Sequence, residues 1–242
     1  MDSIARGTVL VMCGRYTFTR EDMEFASRFA GVVVRLFFAP RYNIAPTQQA
    51  AVVLVENGKL VQKEMQWGFK PGWAKAPIIN AQVERVSEKR TFRGALESRR
   101  CLIPADGFYE WKQVGTTKQP IRITLKSGEP FCFAGLWQRE IKPLAADETV
   151  VNDLDDEPPA GRVVDSFVII TTAANEFMRP IHHRMPFIVS PPHYDWWMET
   201  GPRNDMYKSV MQFPAKDDLT GYTVSPRVNN ARIDDVDCIK PV

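Results

Sequence analysis

The chain has 242 residues, enough for one large or two small domains with a substantial buried core. A hydrophobic share of 44% and a charged share of 25% are those of a soluble globular protein, and no apolar run approaches the length of a membrane span. The net charge of +2 excludes a globally basic surface, so any affinity for nucleic acid has to come from a local cluster.

Residues 1–12 hold one arginine and the short run Val9-Leu10-Val11, too little for the apolar region of a signal peptide. They read as a leader or as sequence upstream of a true start at Met12, which leaves 13–242 as the working domain. The four cysteines, Cys13, Cys101, Cys132 and Cys238, are scattered, without a CxxC pair or zinc-like spacing. That pattern predicts reduced thiols in a cytoplasmic protein and no disulfide framework.

Cys13 follows Met12 directly. As an internal residue it is a small buried hydrophobe. As a first residue it offers a thiol and an α-amine on adjacent carbons, with ordinary pKa values of about 8.5 and about 7.7–8.0. An aldehyde captured by the amine as an imine is then within reach of the thiol, which closes a five-membered thiazolidine at high effective concentration.

A helix is predicted over about 20–30, with Thr19 as cap, Asp22 at the third helical position, and Met23, Phe25 and Phe29 on one face. "RYNIAPTQ" (41–48) reads as an extended loop. Strands are expected at 51–55 and 59–67 around the turn pair Asn57-Gly58, with "GFKPGW" (68–73) rich in turns. A basic helix is expected within 87–100, capped by Ser87, followed by strands within 101–112, 119–125 and 130–138. The acidic stretch 139–163 reads as a solvated loop excursion between strands. A strand resumes at 165–172, short helices fall near 192–199 and 204–212, and a last strand lies around 222–225. Many short strands with three or four helices predict one α+β domain.

On a strand, "GFYEWK" (107–112) would set Phe108, Glu110 and Lys112 on one face and Tyr109 and Trp111 on the other. Glu110 among aromatic neighbours is either a carboxyl of raised pKa suited to proton transfer or a surface glutamate. "IHHRMP" (181–186) brings His182 and His183. The third histidine, His193, has no matching spacing, so no metal is expected, and a single histidine moving protons is the functional alternative to a loop residue. Asn80, where "PIINAQVERV" (77–86) turns polar, either orients a reacting group or ends a strand. Trp67, Phe69 and Trp73, with Lys89, Arg90, Arg93, Arg99 and Arg100, suit either stacking and phosphate contact with single-stranded nucleic acid or a core beside a solvated basic helix.

Taken together and in this order, "MCGRYTF", "RYNIAPTQ", "WGFKPGW", "INAQVE", "CLIPADGFYEWK" and "IHHRMPFIVS" resemble the SRAP family, the SOS-response-associated peptidases, from Met12 to about Asn230. The resemblance implies a single α+β domain with a β-barrel-like, mostly antiparallel core flanked by short helices. It implies covalent attachment to abasic sites in single-stranded DNA, through a thiazolidine on an N-terminal cysteine, and self-removal of preceding residues. Carried over by position, Cys13 would be the nucleophile, Asn80 would hold its amine or backbone, and Glu110 would handle protons there. His182 would serve ring opening and reversal, and Arg15, Trp73, Arg90 and Arg184 would line the DNA groove. A monomer without metal or other cofactor is expected.

Three departures from the family pattern stand out. Twelve residues precede Cys13, Gln82 replaces a common arginine, and His183 replaces a common aspartate. The competing functions are a thiol hydrolase pairing Cys13 with His182 and a non-covalent binder of single-stranded or modified DNA.

Overall fold

The computed structural model describes residues 13–27, 32–142, 161–199, 201 and 214–242. In chain order these form β1 (Tyr16–Phe18), β2 (Asp22–Ser27), β3 (Val32–Phe37), β4 (Arg41–Ile44), β5 (Gln49–Glu56) and β6 (Lys59–Trp67). Next come β7 (Asn80–Gln82), α1 (Arg90–Ser98), β8 (Arg100–Ala105), β9 (Gly107–Val114), β10 (Thr117–Leu125) and β11 (Phe131–Lys142). β12 (Arg162–Ala173), β13 (Arg184–Pro186), β14 (Ile188–Val189), α2 (Tyr194–Met198) and β15 (Leu219–Thr223) complete the series.

Five of these strands close into a barrel. The order β12-β6-β5-β8-β11 returns to β12 through the β11–β12 pairing, all neighbours being antiparallel except β12 and β6. Closure leaves those strands without a free edge. The turn between β5 and β6 needs positive φ at both central residues, and Asn57 (+53°) with Gly58 (+74°) supplies it.

Strand periodicity then sorts the core. Val52, Leu54, Met65, Trp67, Ile103, Phe133, Phe167 and Ile169 share one buried cluster with Tyr16, Phe108 and Ile123. The alternate residues Val53, Leu102, Ala134, Leu136, Val168 and Ile170 pack beneath Phe92, Ala95 and Leu96 of α1 and Trp197 of α2.

A second sheet, ordered β15-β10-β9-β1-β4, carries the N-terminal strand against β9. The C-terminal segment is tied to it through "RYNIAPTQ". Asp234 accepts from the Tyr42 and Asn43 amides at 2.5 and 2.8 Å and pairs with Arg41. The Asn43 amide nitrogen donates to the carbonyls of Val228, Asn230 and Ile233.

A buried polar knot sits where β1, β9 and β10 meet. Asp106 accepts from the Thr17 hydroxyl at 2.6 Å, from the Thr19 amide at 2.9 Å and from Arg122 Nη2 at 3.1 Å. The space is filled so closely that a Cβ on Gly107 would lie 2.9 Å from both Arg122 Nε and Thr17 Oγ1, so only glycine fits. Asp106→Ala would strand a buried guanidinium, and a loss of about 3–5 kcal/mol of stability is expected. The denaturation midpoint reads this directly; an unshifted midpoint would deny the knot its structural role.

The fold class and single domain agree with the sequence reading, but several local expectations are corrected. The helix expected at 20–30 is instead the strand β2, paired with β3 from Asp22↔Phe37 to Ser27↔Val32. Met23 and Phe25 are buried while Glu24 is exposed, a period of two, and the β-branched run Val32–Val34 supplies a partner strand. Thr19 consequently caps no helix, since its amide and hydroxyl both go to Asp106. "RYNI" is a strand rather than loop, and the capping position of α1 is Lys89, not Ser87. The loop excursion is shorter than 139–163, because Arg139–Lys142 pairs with Arg162–Asp165 and Arg139 clasps Asp165 at 2.7 and 2.8 Å. The last strand lies at 219–223. The expected helix near 204–212 and the centre of the acidic stretch lie outside the described residues. Among the described residues no helix is long and apolar enough to cross a membrane.

Candidate functional site

Antiparallel pairing of β1 with β9, Tyr16 opposite Phe108, extends three residues toward the N-terminus and brings Cys13 to Glu110. The backbone nitrogen of Cys13 donates to Glu110 Oε1 at 2.9 Å. Both residues are buried, Cys13 at 1% and Glu110 at 3% exposure. Desolvation raises the Glu110 carboxyl to about 7, opposed only in part by the amides of Cys13 and Trp111. Burial, and secondarily the Glu110 charge, pushes the Cys13 thiol well above its ordinary value. Cys13 also has φ +40°, a left-handed conformation that costs a residue bearing a Cβ about 1–2 kcal/mol. The alternation expected for "GFYEWK" holds: Phe108 packs into the barrel-side cluster while Tyr109 and Trp111 pack with Val224, Val228 and Tyr222.

Asn80 and His182 arrive on strands hung from β12. Asn80 opens β7, opposite Ile169, and His182 precedes β13, whose Arg184 lies opposite Ala173. His182 Nδ1 lies 3.1 Å from the Arg184 amide and 3.2 Å from the Arg184 carbonyl, accepting from the first when the ring proton is on Nε2 and donating to the second when it is on Nδ1. Nε2 is buried and meets no protein partner among the described residues. Burial lowers the His182 pKa, the backbone of Arg184 opposes that shift, and the charges of His183 and Lys118 reinforce it. Lys118 belongs to β10, the strand paired with β9. His183 is exposed and its ring lies 4.4 Å from that of His182.

A cleft of about 340 Å³ opens along β7 and the start of α1. Trp73, Asn80, Gln82, Arg85, Lys89 and Phe92 line it. Trp73 is 72% exposed at the tip of the segment between β6 and β7, which is closed at its base by the mutual amide–carbonyl bonds of Phe69 and Ile78. Gly68 takes φ +119° there, and a Cβ would stand 2.9 Å from that of Pro77.

The proposed arginines divide. Arg90 is exposed at the start of α1. Arg15 is engaged within the chain, its Nη1 on Asn43 Oδ1 at 2.9 Å and its Nη2 on the Asn229 carbonyl at 3.1 Å. Arg184 holds Glu84 with two hydrogen bonds, at 2.6 and 2.8 Å, and reaches the Thr171 carbonyl. Sequence reasoning passed over Arg85 as a site residue, although its spacing of three from Gln82 carried the signal. Trp67 and Phe69 are wholly buried, so their core alternative is the one the structure adopts. All four cysteines are free and buried.

Comparison with known proteins agrees over nearly the whole chain. The model of the SOS response associated peptidase (SRAP) family matches residues 12–231. Abasic site processing protein YoqW of Bacillus subtilis is 35% identical over 232 residues, covering 91% of this chain and 96% of that protein. Abasic site processing protein YedK of Escherichia coli is 28% identical over 240 residues, covering 96% of this chain and 100% of that one. A crystal structure from Bordetella bronchiseptica superposes with a TM-score of 0.67 at 24% identity, over 88% of this chain and 100% of the other, which bears on the fold alone.

Proposed function

The chain belongs to the SOS response associated peptidase family, and from that premise we propose that it processes abasic sites in DNA by bonding to them covalently through Cys13. The observation that carries this reading is the 2.9 Å contact between the Cys13 nitrogen and a carboxyl whose pKa is about 7. That value belongs to the form with a peptide-bonded nitrogen; an α-amine there has an ordinary pKa of about 7.7–8.0, and Glu110 stands at hydrogen-bond distance to exchange a proton with it.

The reaction runs in balanced steps. With its proton on Nε2, His182 passes it to the sugar ring oxygen while water takes the proton of the hemiacetal hydroxyl and returns one to the imidazole, which opens the ring to an aldehyde. Glu110 takes a proton from the ammonium of Cys13, the amine adds to the aldehyde carbon, and water leaves to give an imine. The thiol then adds to the imine carbon, its proton passing to nitrogen, and the thiazolidine closes with one water lost overall. A thiol kept neutral by burial suits this order, because it acts last and intramolecularly.

An ordinary thiolate hydrolase requires the opposite environment, a positive group that lowers the thiol pKa. The nearest carboxylate raises it. The pairing of Cys13 with His182 as a thiolate couple therefore has less support than the amine mechanism.

Residues ahead of Cys13 acylate the nitrogen and prevent the imine. Their self-removal uses the same atoms: the thiol gives its proton to the Glu110 carboxylate as it adds to the Met12 carbonyl carbon, and the C–N bond breaks as Glu110 passes that proton to the departing nitrogen. Water then hydrolyses the thioester and restores the thiol. The left-handed φ of Cys13 favours breaking that bond, since cleavage releases the strain.

The test is denaturing electrophoresis of a chain beginning at Cys13 with an abasic single strand. A band surviving denaturation supports the proposal, and a complex lost on denaturation leaves only non-covalent binding. His182→Ala is expected to slow formation or reversal by about a hundredfold. Unchanged rates in both directions would remove His182 from the mechanism.

A further inference from the structure

Charge in the cleft beside Asn80 is arranged unevenly. Gln82 ends β7 in an extended conformation and a single 3₁₀ turn, Val83–Arg85, follows it directly. Gln82 and Arg85 both line the cleft. The amides of Glu88 and Lys89 return to the Arg85 carbonyl at 3.2 and 3.1 Å, which folds Lys89 back onto the same cleft.

Arg85 and Lys89 are exposed, and among the described residues neither makes a hydrogen bond or ion pair through its side chain. Arg184, by contrast, is spent on Glu84 and Thr171, and Arg15 on Asn43 and the Val228–Asn229 carbonyls. No carboxylate lines the cleft, and the exposed indole of Trp73 stands at its rim. Two unspent cations and an aromatic platform lining one cleft match the phosphates and bases of a single strand.

We propose that Arg85 and Lys89 are the phosphate-contacting pair of this cleft, Arg85 engaging an oxygen pair with its planar fork and Lys89 acting as a point charge. The inference deepens the function proposed above and rests on it. It also predicts that the contact can be moved to the far side of the turn. An arginine placed at 82 lines the same cleft and would reach the same phosphate.

The experiment titrates the full chain against a fluorescein-labelled single-stranded oligonucleotide without an abasic site, by anisotropy, at several salt concentrations. Two lost phosphate contacts make the plot of log affinity against log salt shallower by about 1.4, or about sevenfold less loss between 50 and 200 mM. That is the result expected for Arg85→Gln/Lys89→Gln. The control Lys59→Gln/Lys126→Gln removes the same charge from exposed positions elsewhere and keeps the wild-type slope. Adding Gln82→Arg to Arg85→Gln regains the slope that Arg85→Gln alone loses.

Parallel plots for wild type and the cleft variant would overturn the inference, as would an equal loss in the control. A wild-type chain that fails to bind the strand at any salt would instead overturn the proposed function, and the inference with it.

Discussion

Cys13→Ala is expected to abolish the denaturation-resistant complex with abasic single strands while leaving affinity for intact strands within about twofold. The size of the effect follows from chemistry. In a chain that begins at position 13, alanine still offers an α-amine, so an imine can form, but imines hydrolyse in water and only the thiol closes the ring. Cys13 is 1% exposed, three residues ahead of β1, and does not line the cleft that Arg85 and Lys89 share, so its removal touches bonding and not docking. Denaturing and native electrophoresis on the same samples separate the two. A complex that survives denaturation in the variant would assign the covalent bond to another residue.

Glu110→Gln carries the second large effect, and it has two parts of opposite sign. Crosslinking is expected to slow by about a hundredfold, the usual worth of a positioned acid–base group. Stability is expected to rise. In the peptide-bonded form the folded carboxyl titrates at about 7, against an ordinary value of 4.5. Between those values the folded chain holds a proton that the unfolded chain has released, so stability falls as pH rises through the interval. Above pH 7 the full cost applies, about 3 kcal/mol at 1.36 kcal/mol per unit. Glutamine carries no such cost. The variant should therefore melt higher than wild type at pH 8 and converge with it near pH 4.5. Equal melting at pH 8 would mean that Glu110 is not held in a desolvated site, and equal crosslinking rates would remove it from the chemistry.

This pairing of lost activity with gained stability is what a strained functional site predicts. On the mechanism proposed, the fold maintains a buried carboxyl at a cost because the proton it holds is useful.

Much of this was legible in the sequence where one local signal decided the outcome. The Asn57-Gly58 turn fixed the β5–β6 hairpin, and the alternation in "GFYEWK" placed Glu110 and Tyr109 on opposite faces. The β2–β3 hairpin was not legible. Met23 and Phe25 are two apart, Phe25 and Phe29 four apart, and pairing with Val32–Phe37, which no local pattern announces, decides between the periods. Long-range polar contacts were hidden for the same reason. Nothing near Asp106 in the sequence announces Arg122 or Thr17, and nothing near Arg15 announces the carbonyl of Asn229. An arginine that matches a motif by position can be spent on the fold, and only tertiary contacts tell it from one that faces a cleft. Arg184 and Arg85 are that pair here.

The central claim is that the Cys13 nitrogen and thiol together bond the abasic sugar. The measurement that tests it most directly is the intact mass of the product formed when a chain beginning at Cys13 meets an abasic single strand, beside the same chain with its α-amine acetylated. The account predicts a product equal to protein plus strand less one water, and no product from the acetylated chain. A covalent product from the acetylated chain, or none from either, would contradict it.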